Sequence, residues 1–255
     1  MLEIVLVFAA AVALGWPLGL YLARVMRGEA SHLDVVFVPV ERLLYRALGT
    51  DPRRGMSWKG YARAFVVSNV VLGVLVWLQF MTQAWLPLNP DGAPNMRWDL
   101  ALHTMVSFLT NTNQQHYSGQ AQLSYLSQMI GIVGLQVITP MMGLAMVVAT
   151  LRGLFGGRDA QAARVDAQSL PARAVPAERD LGNYWVDLTR ATVRFMLPLC
   201  LAWSVLLTSQ GVPATLERGP TVAPVDATVE LKEQHIPLGP VAPMVAIKQL
   251  GTNGG

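Results

Sequence analysis

Charged residues are scarce in this sequence. Only 14% of its 255 residues are Asp, Glu, Lys or Arg, whereas 53% are hydrophobic. Soluble domains average roughly 25% charged residues, so the shortage indicates a chain whose solvent is largely lipid. Cysteine is also scarce, because Cys200 is the only one, and a disulfide within the chain is therefore excluded. We interpret Cys200 as a small buried apolar residue.

The excess of basic over acidic residues is small. The formal net charge is +3 and the sequence pI is about 9.2. A nucleic-acid-binding chain would interleave basic and aromatic residues on one face, but here the basic residues cluster between long apolar runs. That distribution is typical of membrane topology. We therefore expect membrane lipid, and no nucleic acid, as a partner of this chain.

Four apolar runs are candidates for membrane spans, which need about 20 mostly apolar residues each. The fourth run is weaker than the others, because Arg194 lies at its entrance and Pro198 within it. Glu3 precedes the first run, and Arg24 and Arg27 follow it, which is the reverse of a signal peptide. We expect a retained first helix with its N-terminus outside. The runs cover residues 4–23, 64–86, 123–151 and 193–210.

Lysine and arginine fall mostly in two of the segments between these runs. Of the nineteen, eight lie in 24–63 and seven in 152–194. Such segments face the cytoplasm by the positive-inside rule. Residues 87–122 and 211–255 are then expected to face outside or to dip into the membrane from outside. The Arg-, Ala-, Asp- and Pro-containing stretch 153–180 is predicted to be a cytoplasmic linker.

A short apolar segment, Trp98–Leu109, lies between the second and third runs. It is too short to cross a membrane and suggests a buried or re-entrant helix. The uncharged polar residues 110–115, TNTNQQ, follow it. Polar backbone at membrane depth is tolerated where it is buried in protein or lines a watery cavity. Carbonyl and hydroxyl oxygens there could replace the hydration shell of a monovalent cation, although the same residues would also suit an ordinary external loop.

A second copy of this pattern favours the re-entrant interpretation. Residues 241–250, VAPMVAIKQL, form another short apolar segment, and it leads into 251–255, GTNGG. The Thr-Asn pairs at Thr112 and Thr252 lie 140 residues apart, in the same order of span, external loop, short helix and polar loop. This spacing indicates an internal repeat. The absence of Asp and Glu from both loops argues against a divalent cation as the ligand.

Two smaller expectations concern side chains near these elements. The hydroxyl of Ser107 could brace the polar loop, or Ser107 could be an ordinary helix residue. Asp187 and Arg190 lie three positions apart near the start of the fourth run, which predicts an ion pair on a helix surface.

Several longer sequence motifs, spread over the whole chain, resemble those of a known family. The sequence resembles the potassium-binding A subunit of the bacterial Kdp potassium-transporting ATPase. The similar motifs are PVERLLYRALG at 39–49, WKGY at 58–61, LPLNP at 86–90, WDLALHTMVSFLTNTNQQHYSGQAQLSYLSQM at 98–129, NYWVDLTR at 183–190 and LGPVAPMVAIKQLGTNGG at 238–255.

The resemblance implies an all-α transmembrane fold of the potassium-channel type. An extra first helix with its cytoplasmic connection would occupy 1–58, and a complete span–pore helix–filter–span repeat would occupy 59–152. After the linker 153–180, a second repeat would occupy 181–255 and stop within its filter loop. A chain holding only these parts would not close a pore by itself.

The resemblance also implies that potassium is the transported ion. Asn111 and Thr252 are the residues to which it most readily assigns coordination of the ion. The residues matching the family's filter positions are Thr110, Asn111, Thr112, Asn113, Gln115, Gly251, Thr252, Asn253 and Gly254. The sequence departs from the family pattern at Gln114, where Trp is usual, at Gln120, where Glu is usual, and at His116, where the usual residue is small and polar. These departures are expected to affect the electrostatics of the outer mouth more than the coordinating backbone.

The resemblance also implies a location in the bacterial inner membrane and three partners. They are a P-type ATPase B subunit, which would use the ATP, a C subunit and a small single-span subunit. This chain has no phosphorylation motif or Walker loop, so any ATP hydrolysis is expected on the partner. Two alternatives stay open: a stand-alone cation channel or symporter subunit of the same repeat superfamily, and a membrane scaffold that transports nothing.

Overall fold

The computed structural model describes residues 2–155, 181–225 and 232–252. Within these residues the chain is mostly helical. The helices are α1 (Leu2–Arg27), α2 (Asp34–Ala47), α3 (Trp58–Thr82), α4 (Trp98–Leu109), α5 (Gly119–Gln122), α6 (Gly134–Phe155), α7 (Tyr184–Arg190), α8 (Leu197–Ser209) and α9 (Val241–Leu250). Two short antiparallel strands, β1 (Thr221–Val222) and β2 (Gln234–His235), pair within the connection between α8 and α9.

Among the described residues, four helical stretches are long and apolar enough to cross a membrane, as the sequence predicted. They are Leu2–Arg27, Trp58–Trp85, Ser127–Phe155 and Tyr184–Ser209. The predicted short helices also form, since α4 covers Trp98–Leu109 and α9 covers Val241–Leu250. The all-α transmembrane fold class is thus confirmed. Most of the predicted linker 153–180, and Asn253 and Gly254, lie outside the described residues.

The chain divides into two compact units. The first comprises Met1–Phe65 and Met141–Phe195, and the second comprises Val66–Pro140 and Met196–Gly255. Each unit has its own buried interior, and the two interiors differ in chemistry. The first contains charged side chains in pairs, whereas the second contains apolar side chains around neutral polar ones.

The fourth span begins earlier than the apolar run predicted, because Asn183 caps it. The side-chain oxygen of Asn183 accepts hydrogen bonds from the backbone N–H groups of Trp185 and Val186, at 3.1 and 3.4 Å. Such a cap satisfies N–H groups that have no partner within the helix. The amide nitrogen of Asn183 donates in turn to the carbonyl oxygens of Asp51 and Arg54. The cap therefore also ties the helix start to the connection after α2.

A π-helical stretch, Ala191–Met196, joins α7 to α8. Pro198 follows it and has no N–H group to donate to the carbonyl oxygen four residues earlier, that of Arg194. The Tyr21 hydroxyl of α1 donates to this oxygen at 2.7 Å. A backbone acceptor left free by proline is thus satisfied from another helix, which agrees with the general rule for proline in spans.

Helix α2 is an amphipathic element that the apolar runs did not predict. Phe37, Glu41 and Tyr45 recur at helical spacing and are buried on one face. Glu41 accepts two hydrogen bonds from the Arg194 guanidinium, with Nε–Oε1 at 2.5 Å and Nη2–Oε2 at 2.9 Å. Asp34, in the first turn of α2, pairs with the same guanidinium. Arg194, which weakened the fourth run as a span, therefore joins that span to α2.

A second buried ion pair corrects the expectation for Asp187. Its carboxylate does not pair with Arg190 on a surface but is almost fully buried and faces Arg152, with Nη1–Oδ2 at 2.6 Å and Nη2–Oδ1 at 3.0 Å. The Tyr61 hydroxyl lies 3.0 Å from Asp187 Oδ2 and 2.9 Å from the Ala145 carbonyl oxygen. Three stretches of the first unit thus meet at one carboxylate, a contact that sequence spacing could not reveal.

In the second unit, α4 packs into an apolar core together with α3 and α6. Phe80, Ala101, Phe108 and Leu135 are all at most 2% exposed. The fully buried Gln83 fastens the loops on either side of α4. Its side-chain nitrogen donates to the carbonyl oxygens of Pro94 and Gln122, each at 2.6 Å, and its oxygen accepts from the Ser124 N–H. The short helix is therefore held at both ends.

Candidate functional site

The loop after α4 is shaped by one serine. The Ser107 carbonyl oxygen accepts hydrogen bonds from the N–H groups of Thr112 and Asn113, at 2.9 and 3.1 Å. Its hydroxyl accepts from the Gln114 N–H at 2.6 Å and donates to the Gln114 carbonyl oxygen at 2.9 Å. Of the two interpretations left open, the structure supports the bracing one. The loop is folded back over the end of its own helix.

Two asparagines in this loop adopt left-handed backbone conformations. Asn111 has φ of 59° and Asn113 has φ of 58°. Asparagine is one of the few side chains that tolerate this region. The Asn111 side-chain oxygen accepts from the Thr139 hydroxyl of α6 and from the Asn113 amide, each at 3.4 Å. Sequence reasoning did not predict that Thr139, on the following span, would contact the loop.

The oxygens of this loop are neutral. The hydroxyls of Thr110 and Thr112 lie 2.9 Å apart and both are exposed, whereas Asn111 and Asn113 are half-buried. Asn113 Oδ1 is buried and has no hydrogen-bond partner among the described residues. The Gln115 amide donates to the Tyr117 hydroxyl at 3.3 Å. A buried acceptor oxygen without a donor is suited to a cation, since an unsatisfied polar group otherwise costs free energy.

The second loop begins with the same backbone geometry as the first. Asn111 N–H donates to the carbonyl oxygen three residues earlier at 3.3 Å, and Thr252 N–H does likewise at 3.3 Å. Thr252 has φ of 60°, matching Asn111. By helix-end geometry Thr252 corresponds to Asn111 rather than to Thr112, so the alignment by Thr-Asn pairs was one residue out of register. The two loops differ too much in composition for their residue identities alone to align one with the other.

Thr252 is strained. A β-branched residue with positive φ is a genuine outlier in folded proteins. Such residues cost on the order of 1–3 kcal/mol and concentrate at functional sites. The chain places this outlier directly after Gly251, where α9 ends. Of the second group of predicted site residues, Gly251 and Thr252 are described.

The second unit contains a cavity of about 480 Å³ beside the first loop. Asn113 and Gln115 line it together with Gln128 and Gln136 of the following span and with residues of α9. Lys248 of α9 also lines it, and the sequence analysis gave this lysine no role. A fixed positive charge here opposes cations, so the cavity combines amide oxygens that attract an ion with an ammonium group that repels it.

The sequence profile of the potassium-transporting ATPase A subunit family matches residues 5–255. The chain belongs to this family. With four apolar helices of spanning length in the described part of the chain, it is an integral membrane protein. The resemblance stated from the sequence words is thereby confirmed.

Curated relatives support the assignment over the full length of this chain. A protein of Alicyclobacillus acidocaldarius is 46% identical over 254 residues, one of Pseudomonas aeruginosa is 42% identical over 254, and one of Gloeobacter violaceus is 40% identical over 262. Each is named potassium-transporting ATPase potassium-binding subunit. These matches cover 99–100% of this chain but only 41–42% of each relative. The chain therefore spans about two fifths of the length of these relatives.

Proposed function

We propose that this chain contributes to a potassium-binding, channel-like subunit of an ATP-driven potassium importer. In this proposal, neutral oxygens of Thr110, Asn111, Thr112, Asn113 and Gln115 share the dehydrated ion with those of Gly251, Thr252, Asn253 and Gly254. The observation that carries the proposal is the matched left-handed turn at Asn111 and Thr252, each directly after a short apolar helix.

Electrostatics support the same assignment. Helices α4 and α9 both end at these loops, and a helix C-terminus carries partial negative charge from its free carbonyl groups. Such dipoles and neutral oxygens stabilise a bound monovalent cation, but they bind it less tightly than carboxylates would. An ion bound in this way can leave as well as enter, which conduction requires.

The remaining parts of the proposal follow from the family and from the distribution of charge. The subunit acts in a bacterial inner membrane with its N-terminus outside. It passes potassium to a P-type ATPase subunit that uses ATP, in a complex with a C subunit and a small single-span subunit. The organisation into 1–58, 59–152, 153–180 and 181–255 is part of this proposal. Its support is the alternation of basic and non-basic segments between the spans.

The test is rubidium uptake in a host without its own potassium pumps, using the assembled complex. Asn111→Leu and Thr252→Val each remove a side-chain oxygen donor, and each is expected to raise the half-saturating concentration at least about tenfold, equivalent to roughly 1.4 kcal/mol. Thr208→Val is a matched control, because Thr208 is an exposed residue of α8 whose hydroxyl donates to the Ser204 carbonyl oxygen of the same helix.

Two results would overturn the proposal. Unchanged half-saturation in both Asn111→Leu and Thr252→Val would show that these loops do not bind the ion. Uptake that persists without the ATPase partner would instead favour a stand-alone channel or symporter subunit.

A further inference from the structure

Two histidines that are distant in sequence meet beside the first loop. The ring centroids of His103 and His116 lie 4.5 Å apart, with an angle of 60° between the ring planes. His103 is on α4, and His116 follows the polar loop. The contact exists because Ser107 folds the loop back along its helix through four hydrogen bonds. Both histidines are exposed.

We propose that His103 and His116 together bind one divalent first-row transition-metal ion. Imidazole nitrogens bind such metals at about 2.0–2.1 Å, which puts each ring centroid roughly 3.2 Å from the metal. Two imidazoles on one metal at angles between about 90° and 110° then have centroids roughly 4.5–5.3 Å apart, using the same bond lengths. The observed separation falls at the lower end of this range, as adjacent positions of an octahedron require.

The donor set decides which metals bind. Imidazole suits nickel, copper and zinc, whereas potassium, magnesium and calcium prefer oxygen ligands. Among the described residues, no cluster of three or more His, Cys, Asp or Glu side chains could hold a metal. Water therefore completes the coordination shell, and the affinity is modest. For a fixed pair of imidazoles the affinity should follow the order cobalt, nickel, copper from weakest to strongest.

Binding at this pair would have a consequence for transport, which rests on the proposed function. His116 directly follows Gln115, one of the proposed potassium ligands. A divalent ion fixed there repels a monovalent cation that approaches the same loop. External nickel is therefore expected to inhibit potassium entry by occupying the histidine pair.

The direct test is nickel binding to the purified, tag-free chain in detergent, measured by titration calorimetry. We expect one saturable site that His103→Gln and His116→Gln each weaken at least tenfold. His235→Gln is the matched control, since it removes another histidine from an external loop and should leave the site intact. No saturable binding by the unmodified chain below about 1 mM, or unchanged binding in either single variant, would overturn the proposal.

A second measurement needs no variant. Copper bound to the unmodified chain should show electron paramagnetic resonance couplings to two equatorial imidazole nitrogens. Coupling to one nitrogen, or to none, would mean that the two rings do not share a metal. This readout keeps the proposal testable even if a histidine variant fails to fold.

The transport consequence is tested separately, in the assembled complex. Nickel added outside should reduce rubidium uptake by the unmodified complex at least threefold, and His116→Gln should relieve most of that inhibition. Equal inhibition with and without His116 would overturn the transport consequence. Absence of uptake under all conditions would instead count against the proposed function, while the calorimetric result would still decide the metal site.

Discussion

The two units of the chain use buried polar groups in opposite ways. In the first unit they are charged and paired, as in Arg194 with Glu41 and Arg152 with Asp187. In the second unit, around the loop 110–115, they are neutral: hydroxyls and amides held by a serine and by backbone. Fixed charge pairs suit a scaffold, because breaking them is costly. Neutral dipoles suit the path of an ion that must bind and then leave.

The largest expected effect lies in the charged region. Arg194→Met leaves Glu41 buried without its partner, and the two side chains are only 8% and 6% exposed. Removing one partner of a buried pair typically costs about 3–5 kcal/mol. We expect a correspondingly large fall in the thermal unfolding temperature in detergent.

The matched control for this change is Arg27→Met. Arg27 pairs with Glu29 on the surface of the same unit, with side chains 63% and 45% exposed. Exposed pairs contribute about 0–1 kcal/mol. Equal losses of stability for the two arginine variants would mean that the buried pair does not support the fold as described.

The next largest effect is expected in the neutral region. Ser107→Ala leaves the N–H and carbonyl groups of Gln114 without their hydroxyl partner, at a cost of about 1–3 kcal/mol. Because the serine shapes the proposed filter loop, the half-saturating rubidium concentration should rise on the order of tenfold. Ser209→Ala, on the exposed end of α8, should change neither stability nor uptake. A stability loss with unchanged half-saturation would show that loop shape and ion affinity are independent.

A smaller effect of opposite sign is expected at Lys248. Its ammonium group lines the same cavity as Asn113 and Gln115 and opposes cations there. Lys248→Met removes this repulsion, which is worth on the order of 1 kcal/mol across a partly solvated cavity. Half-saturation of uptake should then fall about fivefold, while Lys248→Arg should leave it near the original value. A rise in half-saturation for the methionine variant would contradict this electrostatic role.

The smallest effect concerns acid stability in the charged region. The Ser31 backbone N–H, assisted by the Arg194 guanidinium, lowers the pKa of Asp34. A lowered pKa in the folded state contributes stability above the unfolded value, near 3.9, and this contribution disappears as pH falls through the folded value. Asp34→Asn should therefore flatten the dependence of unfolding temperature on pH below about 4. An unchanged pH profile would mean that another carboxylate dominates acid sensitivity.

The sequence predicted the spans and short helices well, because apolar length and charge breaks are local signals. It did not predict α2, although Phe37, Glu41 and Tyr45 recur at helical spacing. An amphipathic helix alternates apolar and polar residues and therefore contains no long apolar run. It also paired Asp187 with the wrong arginine. The partner of a carboxylate depends on the tertiary structure, and Arg152 lies on a different helix from Asp187.

The site was predicted in composition but not in geometry. The Thr, Asn and Gln loops were evident from the sequence, whereas the bracing by Ser107 had two possible interpretations. The contact between Asn111 and Thr139 and the meeting of His103 with His116 depend on how the loop folds back. The register of the two loops follows from their backbone angles, and matching residue identities do not predict these angles.

The most direct test of the central claim is to locate the ion. Anomalous diffraction from rubidium-soaked crystals of the full complex should place an ion at about 3 Å from neutral oxygens of the Thr110–Asn113 stretch and from the loop that begins at Gly251. The account predicts a peak bounded by those oxygens and by no carboxylate. Rubidium bound only at carboxylates, with none at these loops, would contradict it.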